Sequence, residues 1–175
     1  YQARRGQTQR PLPRNTTIRL LYDEKALHLR AEAELGDTTT FTAFNRDRVL
    51  TNQEAIDLYL VPNPAQPIFY RLTQGPNAAS KYDALNGRIT DVMDPRHGKD
   101  DPTWNGEWHS ETRVDAETKR WHAHLVIPFQ TFGVEAPTKG ITWKANFGRN
   151  HQLPREVIDR AIWSSSLTST STSAN

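Results

Sequence analysis

Nine residues, Trp121–Phe129 (WHAHLVIPF), constrain this chain more than any other stretch. Trp121, Ala123, Leu125 and Ile127 alternate with His122, His124 and Val126. A period of two places the two sets on opposite faces of a β-strand. One face is then apolar and the other carries imidazoles, as in one wall of a sandwich rather than a strand buried on both sides. Pro128 has no amide to donate to a ladder, so the strand ends there or lies at an edge.

The same grammar recurs along the chain. Ile18–Leu21 and Leu27–Ala33 form a hairpin across Tyr22-Asp23-Glu24-Lys25, with Leu27, Leu29, Ala31 and Ala33 inward and His28, Arg30 and Glu32 outward. Ala55–Val61 points Ile56, Leu58 and Leu60 inward and Asp57 and Tyr59 outward, and Pro62-Asn63-Pro64 closes it. Ile68–Thr73 sets Tyr70 and Leu72 against Phe69, Arg71 and Thr73. Ala79–Ala84 is a further strand. Trp108–Val114, with Trp108 and Val114 on one face, pairs with the opening strand through the turn Asp115–Lys119. Ile141–Phe147 places Ile141, Trp143, Ala145 and Phe147 inward, with Lys144 and Asn146 outward. Helix is confined to short turns near Phe129–Phe132 and Pro154–Asp159. Short strands separated by turn signals predict an all-β fold, a two-sheet antiparallel β-sandwich of jelly-roll or immunoglobulin-like type. The polar, arginine-containing residues 1–16 read as an extended lead-in, and residues 17–175 as one sandwich domain. Residues 36–53 and 91–106 are loops, and Ser164–Asn175 is a Ser/Thr-rich linker or a loop lying on the domain.

Composition narrows the function. With 175 residues and 35% hydrophobic content, one thin two-layer domain is expected. A net charge of +2 with scattered signs offers no basic stripe for nucleic acid. The chain has no cysteine, which excludes disulfides, thiolate zinc sites and a cysteine nucleophile. No apolar run of about 18 residues is present to span a membrane as a helix. The chain opens on Tyr1 without an initiator Met, as a mature form or a slice of something longer would. No GxSxG, HExxH, P-loop or dinucleotide fingerprint occurs.

Asp57, Arg71 and Asn146 fall on the outward faces of successive strands. A carboxylate, a guanidinium and an amide together accept and donate hydrogen bonds, as sugar hydroxyls require. The bland alternative is a solvated sheet face. Trp108, Trp121 and Trp143 belong to the core by alternation. Trp104 and Trp163 lie in polar contexts, where each either stacks on a pyranose ring or plugs the end of the sandwich. Burying such a flat aromatic contributes on the order of 1–3 kcal/mol. His122 and His124 share a face and could serve zinc, but no third ligand is evident, so exposed strand histidines are the plainer account. His97, Asp100 and Asp101 share a loop that could hold calcium, as could the region of Asp37, although the EF-hand pattern is missing. Carboxylates such as Asp57 and Glu111 could form a glycosidase pair if they stood across from each other, which spacing alone does not show.

Taken in order, TIRLLYDEKALHLRAEA, AIDLYLVPN, FYRLT, WNGEWHSETRVD, RWHAHLVIPFQTFG, GITWKANFGRN and AIWSSS resemble the family 9 carbohydrate-binding modules, a group of DOMON-like β-sandwiches, over residues 17–166. The resemblance implies carbohydrate binding without catalysis, by a module of an exported, extracellular or periplasmic, glycan-degrading protein such as a xylanase. Plant-type polysaccharides or oligosaccharides would be its ligands, adjoining domains its neighbours, and structural calcium a family feature. It puts Asp57 at the family's site carboxylate, Arg71 at its arginine, Asn146 near an amide and Trp163 at the C-terminal tryptophan. Where a second stacking tryptophan is expected, this chain has Val49-Leu50-Thr51-Asn52-Gln53, so either half of the aromatic pair is missing or Tyr82 or Trp104 replaces it. The site carboxylate is Asp rather than Glu, and the family's first and last strands are not evident. The alternative is a DOMON-like haem-binding or docking domain, with histidines and Met93 available to iron.

Overall fold

In the computed structural model every strand pairing is antiparallel. It describes residues 2–5, 8–11, 14–37, 43, 45–46, 48–50, 53–66, 68–152 and 158–163. The strands are β1 (Gln2–Arg5), β2 (Thr8–Pro11), β3 (Thr16–Tyr22), β4 (Ala26–Glu34), β5 (Ala55–Val61), β6 (Phe69–Gln74), β7 (Lys81–Asn86), β8 (His109–Asp115), β9 (Arg120–Pro128), β10 (Lys144–Gln152) and β11 (Ile158–Ile162). A five-stranded sheet runs β11-β10-β5-β6-β7 and a four-stranded sheet runs β3-β4-β9-β8. β1 and β2 form a separate two-stranded sheet, with β1 lying against β11.

The two larger sheets face each other across one core. Alternation decides what enters it. Leu27, Leu29, Ala31 and Ala33 of β4 and Trp121, Ala123, Leu125 and Ile127 of β9 meet Ile56, Leu58 and Leu60 of β5 and Leu72 of β6. Removing this apolar surface from water is the main drive to fold. β9 ends at Pro128, after which a 3₁₀ turn at Phe129–Phe132 plugs one end of the sandwich. Phe129 and Phe132 stand edge-on to Trp143, at 5.7 and 6.0 Å. Gly133 closes that turn at φ 66°, a left-handed conformation that glycine adopts without steric cost.

Near the other end an arginine crosses between the sheets. Arg149 of β10 points inward and is 3% exposed. Its guanidinium lies 5.3 Å from the centre of the Trp121 ring and is ion-paired with Glu54. It donates to the carbonyls of Glu34, at 3.3 Å, and Ala55, at 3.4 Å. Burial pushes Glu54 up and Arg149 down to about 10, while the opposite charge of each partner works against both shifts.

The structure corrects the sequence at several strand ends. β10 starts at Lys144, and Ile141, expected inward, is 58% exposed on the approach to it. Val114 shares the inward face of β8 but stays 38% exposed because β8 is an edge strand. The expected extended lead-in contains the β1–β2 hairpin. Ile158 and Asp159 are strand rather than helix, and residues 154–157 and 164–175 lie outside the described residues.

Trp121→Ala should lower unfolding free energy by about 3–5 kcal/mol, because it empties the centre of the core. The same truncation at exposed Trp163 should cost far less, and chemical denaturation of both variants checks the contrast.

Candidate functional site

On the outer face of the five-stranded sheet, register builds two polar rows. Asp57 lies opposite Thr73 on one side and Gly148 on the other, and Thr73 lies opposite Tyr82. The next row reads Asn146, Tyr59, Arg71 and Ala84. Gly148 leaves the room that Asp57 occupies: a Cβ there would stand 3.1 Å from the Asp57 Cβ and 3.2 Å from its Oδ2.

Arg71 is the centre of this face. Its Nε donates to Asp57 Oδ1 at 3.1 Å and its Nη1 to Asp100 Oδ2 at 2.9 Å. Its guanidinium lies 5.6 Å from the Tyr59 ring centre and 5.3 Å from that of Tyr82. Arginine suits such a place because its charge is permanent and its donors are fixed in a plane. Burial works to lower the Arg71 pKa, but the charge of Asp57, with Tyr59 and Asp100, more than reverses it. The Tyr82 hydroxyl is pushed up to about 12, first by burial and then by Asp100. Tyr59 is raised too, by burial and then by Asp57. Both phenols therefore stay protonated at neutral pH and can donate.

Asp100 reaches the sheet from the loop after β7. Asn86 Nδ2 donates to Gly98 O at 3.1 Å and to Asp100 Oδ1 at 3.3 Å, while a bridge joins Asp101 to Leu85. The loop thus folds its carboxylate back over Arg71. Solvent still reaches the pair, with the Arg71 and Asp100 side chains 19% and 24% exposed. Beside them stand two half-buried aromatics, Tyr59 and Phe69, with ring centres 6.2 Å apart.

Four of the six sequence candidates meet on this face: Asp57, Arg71, Asn146 and Tyr82. Asn146 is fully buried next to Tyr59, and Tyr82 is 3% exposed beneath the arginine, so neither offers an open stacking surface. Trp163 lies elsewhere. It pairs with Phe147, whose carbonyl accepts its backbone amide at 2.9 Å, so its ring lies on the other side of the sheet. There it borders a cleft of about 450 Å³ with Thr16, Ile18 and Phe147, and it is 63% exposed. Trp104 is part-buried against Tyr70, with ring centres 5.0 Å apart, at the edge of the core. Tyr59, Phe69 and Asp100 carry no motif. Alternation had already put Tyr59 and Phe69 on Arg71's face, whereas no sequence signal pairs Asp100 with Arg71.

The other candidate centres are placed as follows. Asp57 and Glu111 lie on the outer faces of different sheets, with the core between them, so they do not flank a common bond. Asp101 accepts from Thr103, His97 meets the carbonyl of Ile89, and Asp37 pairs with Lys119. Among the described residues, no group of three or more His, Asp or Glu is arranged to hold a metal ion. Met93 is 84% exposed on the loop after β7.

No family model and no curated protein sequence matches the chain. Solved structures do. A candidate carbohydrate-binding protein from Bacteroides uniformis superposes with a TM-score of 0.64 at 12% identity, over 86% of this chain and 69% of that one. A family 9 carbohydrate-binding module from Caldicellulosiruptor kristjanssonii, in complex with cellotriose, gives 0.53 at 14% identity over 87% and 66%. The structure with glucose gives 0.54 at 15% identity over 87% and 68%. This chain is folded like a family 9 carbohydrate-binding module. At such identities the likeness is one of fold, and function has to be argued from the site.

Arg71→Met should destabilise the protein by about 3 kcal/mol, because Asp57 keeps its burial and loses its cation. Adding Asp57→Asn should cost less than the sum of the two single changes, a coupling that a double-mutant cycle by denaturation measures.

Proposed function

We propose that the chain is a non-catalytic carbohydrate-binding module and that the outer face of the five-stranded sheet receives the sugar. One observation carries this. Arg71 and Asp100, both reached by solvent, stand beside the half-buried rings of Tyr59 and Phe69. A pyranose presents an apolar CH face and a rim of hydroxyls. The rings suit the first, and a fixed donor beside a fixed acceptor suits the second. Sharing a fold with modules solved with cellotriose and glucose supports the same class of ligand. The ligand we favour is a neutral plant-type polysaccharide or its oligosaccharides. We further propose that the module serves an exported glycoside hydrolase, at which point binding would concentrate the enzyme on its substrate by effective concentration.

Affinity electrophoresis against xylan and soluble cellulose derivatives, followed by calorimetry with short oligosaccharides, tests this. Retention by at least one neutral glycan is expected, with no release of reducing sugar. Tyr59→Ala should weaken binding about tenfold, the effect of losing about 1.4 kcal/mol. Trp163→Ala should leave binding on this face intact. If Trp163→Ala abolishes binding and Tyr59→Ala does not, the sugar sits in the cleft at the sheet edge instead.

A further inference from the structure

The outer face of the four-stranded sheet is built differently. Register places Arg19, Arg30, His124 and Glu111 in one row across all four strands, and Glu32, His122 and Arg113 in the next. Together they line an open trough of about 360 Å³. Arg19 stands directly opposite Arg30, a like-charge pairing that destabilises a sheet. Among the described residues, Arg19, Arg30 and Arg113 are exposed and form no ion pair or hydrogen bond. Of the two carboxylates lining the trough, Glu32 is held by Arg120, which leaves Glu111 alone against three arginines. Arg71, by contrast, is clamped between two carboxylates.

The imidazoles enlarge that charge on acidification. His124 lies between Arg30 on β4 and Glu111 on β8, and it stacks on His28 with ring centres 5.5 Å apart. His28 Nδ1 approaches His124 Nε2 at 3.3 Å, while its other nitrogen meets Asp23 at 3.0 Å. His122 lies between Glu32 and Arg113, and His109 opposite Val126. Below about pH 6 imidazoles of ordinary pKa carry charge, while uronate carboxylates remain ionised. Burial, and then the charges of Arg30 and His28, hold His124 lower than usual, so its proton is taken up at the acid end of the range.

We propose that this face is a second binding surface, for a uronate-bearing polysaccharide, and that its affinity rises on acidification as charge is added beside the arginines. Adjacent strands lie about 4.8 Å apart, so Arg19 and Arg30 can engage neighbouring carboxylates of one extended chain. The choice of a glycan among polyanions rests on the carbohydrate function proposed above; the choice of an anion rests on the arginines alone.

The test is affinity electrophoresis and calorimetry of the full chain with polygalacturonate, poly-L-glutamate and a neutral xylan, at pH 5.5 and pH 7.5 and constant ionic strength. We expect polygalacturonate to bind at least tenfold more tightly at pH 5.5 than at pH 7.5. The double variant R19Q/R30Q should lose at least tenfold of that affinity at pH 5.5 and keep its circular dichroism spectrum and any neutral-glycan binding. Failure to bind polygalacturonate at pH 5.5, or binding indifferent to R19Q/R30Q, overturns the surface. Equal binding of poly-L-glutamate overturns the glycan assignment. Loss of neutral-glycan binding alone counts against the five-stranded face and leaves this proposal standing.

Discussion

The inter-sheet contact of Arg149 is the constraint on which the sandwich is organised. A guanidinium in an apolar core is costly unless its charge is met. Here one side chain is held by Glu54, by two backbone carbonyls and by the face of Trp121, groups that come from both sheets. Sliding one layer past the other would take the Glu34 carbonyl and the Trp121 face away from this guanidinium. Arg14 adds a second cation, donating to Glu54 at 3.4 Å and to the Gln152 carbonyl at 3.1 Å, so the segment preceding β3 is fastened to the same point. Specific, hydrogen-bonded charge therefore fixes the relation of layers that apolar packing alone would leave free to adjust.

With the layers fixed, their outer faces diverge in chemistry. The five-stranded face carries its arginine inside a frame of two carboxylates and two phenols, closed by a loop that delivers Asp100. Such a frame holds donors and acceptors in set directions. The four-stranded face leaves arginines opposite each other and surrounds them with imidazoles. One domain thus presents two faces of different chemistry, with the core between them.

Much of this was legible in the chain itself. Alternation in Trp121–Phe129, Leu27–Ala33 and Ala55–Val61 gave the faces of β9, β4 and β5, because a strand with one apolar side has only one way to turn it toward a core. The same rule put Asp57, Arg71 and Asn146 on the outward faces of their strands, and the sheet order joins those faces. It failed at Ile141, which lies on the approach to β10 and is not covered. It could not place Trp163, since a tryptophan between a strand and a Ser/Thr tail has no periodic neighbours to fix its side.

The sequence by itself determined the layers, the faces and the residues available to each, since these follow from period-two patterning and turn chemistry, which are local. Tertiary structure alone decided which of those residues act together. Asp100 meets Arg71 across 29 positions, and Arg149 meets Trp121 across the core and Glu54 at the start of the neighbouring strand, because loop closure and sheet order bring them together. The tryptophans went to the core, the end and the edge, while Tyr59 and Phe69 took the open face. The ladder register set that division, and a register joins residues whose spacing along the chain carries no trace of it.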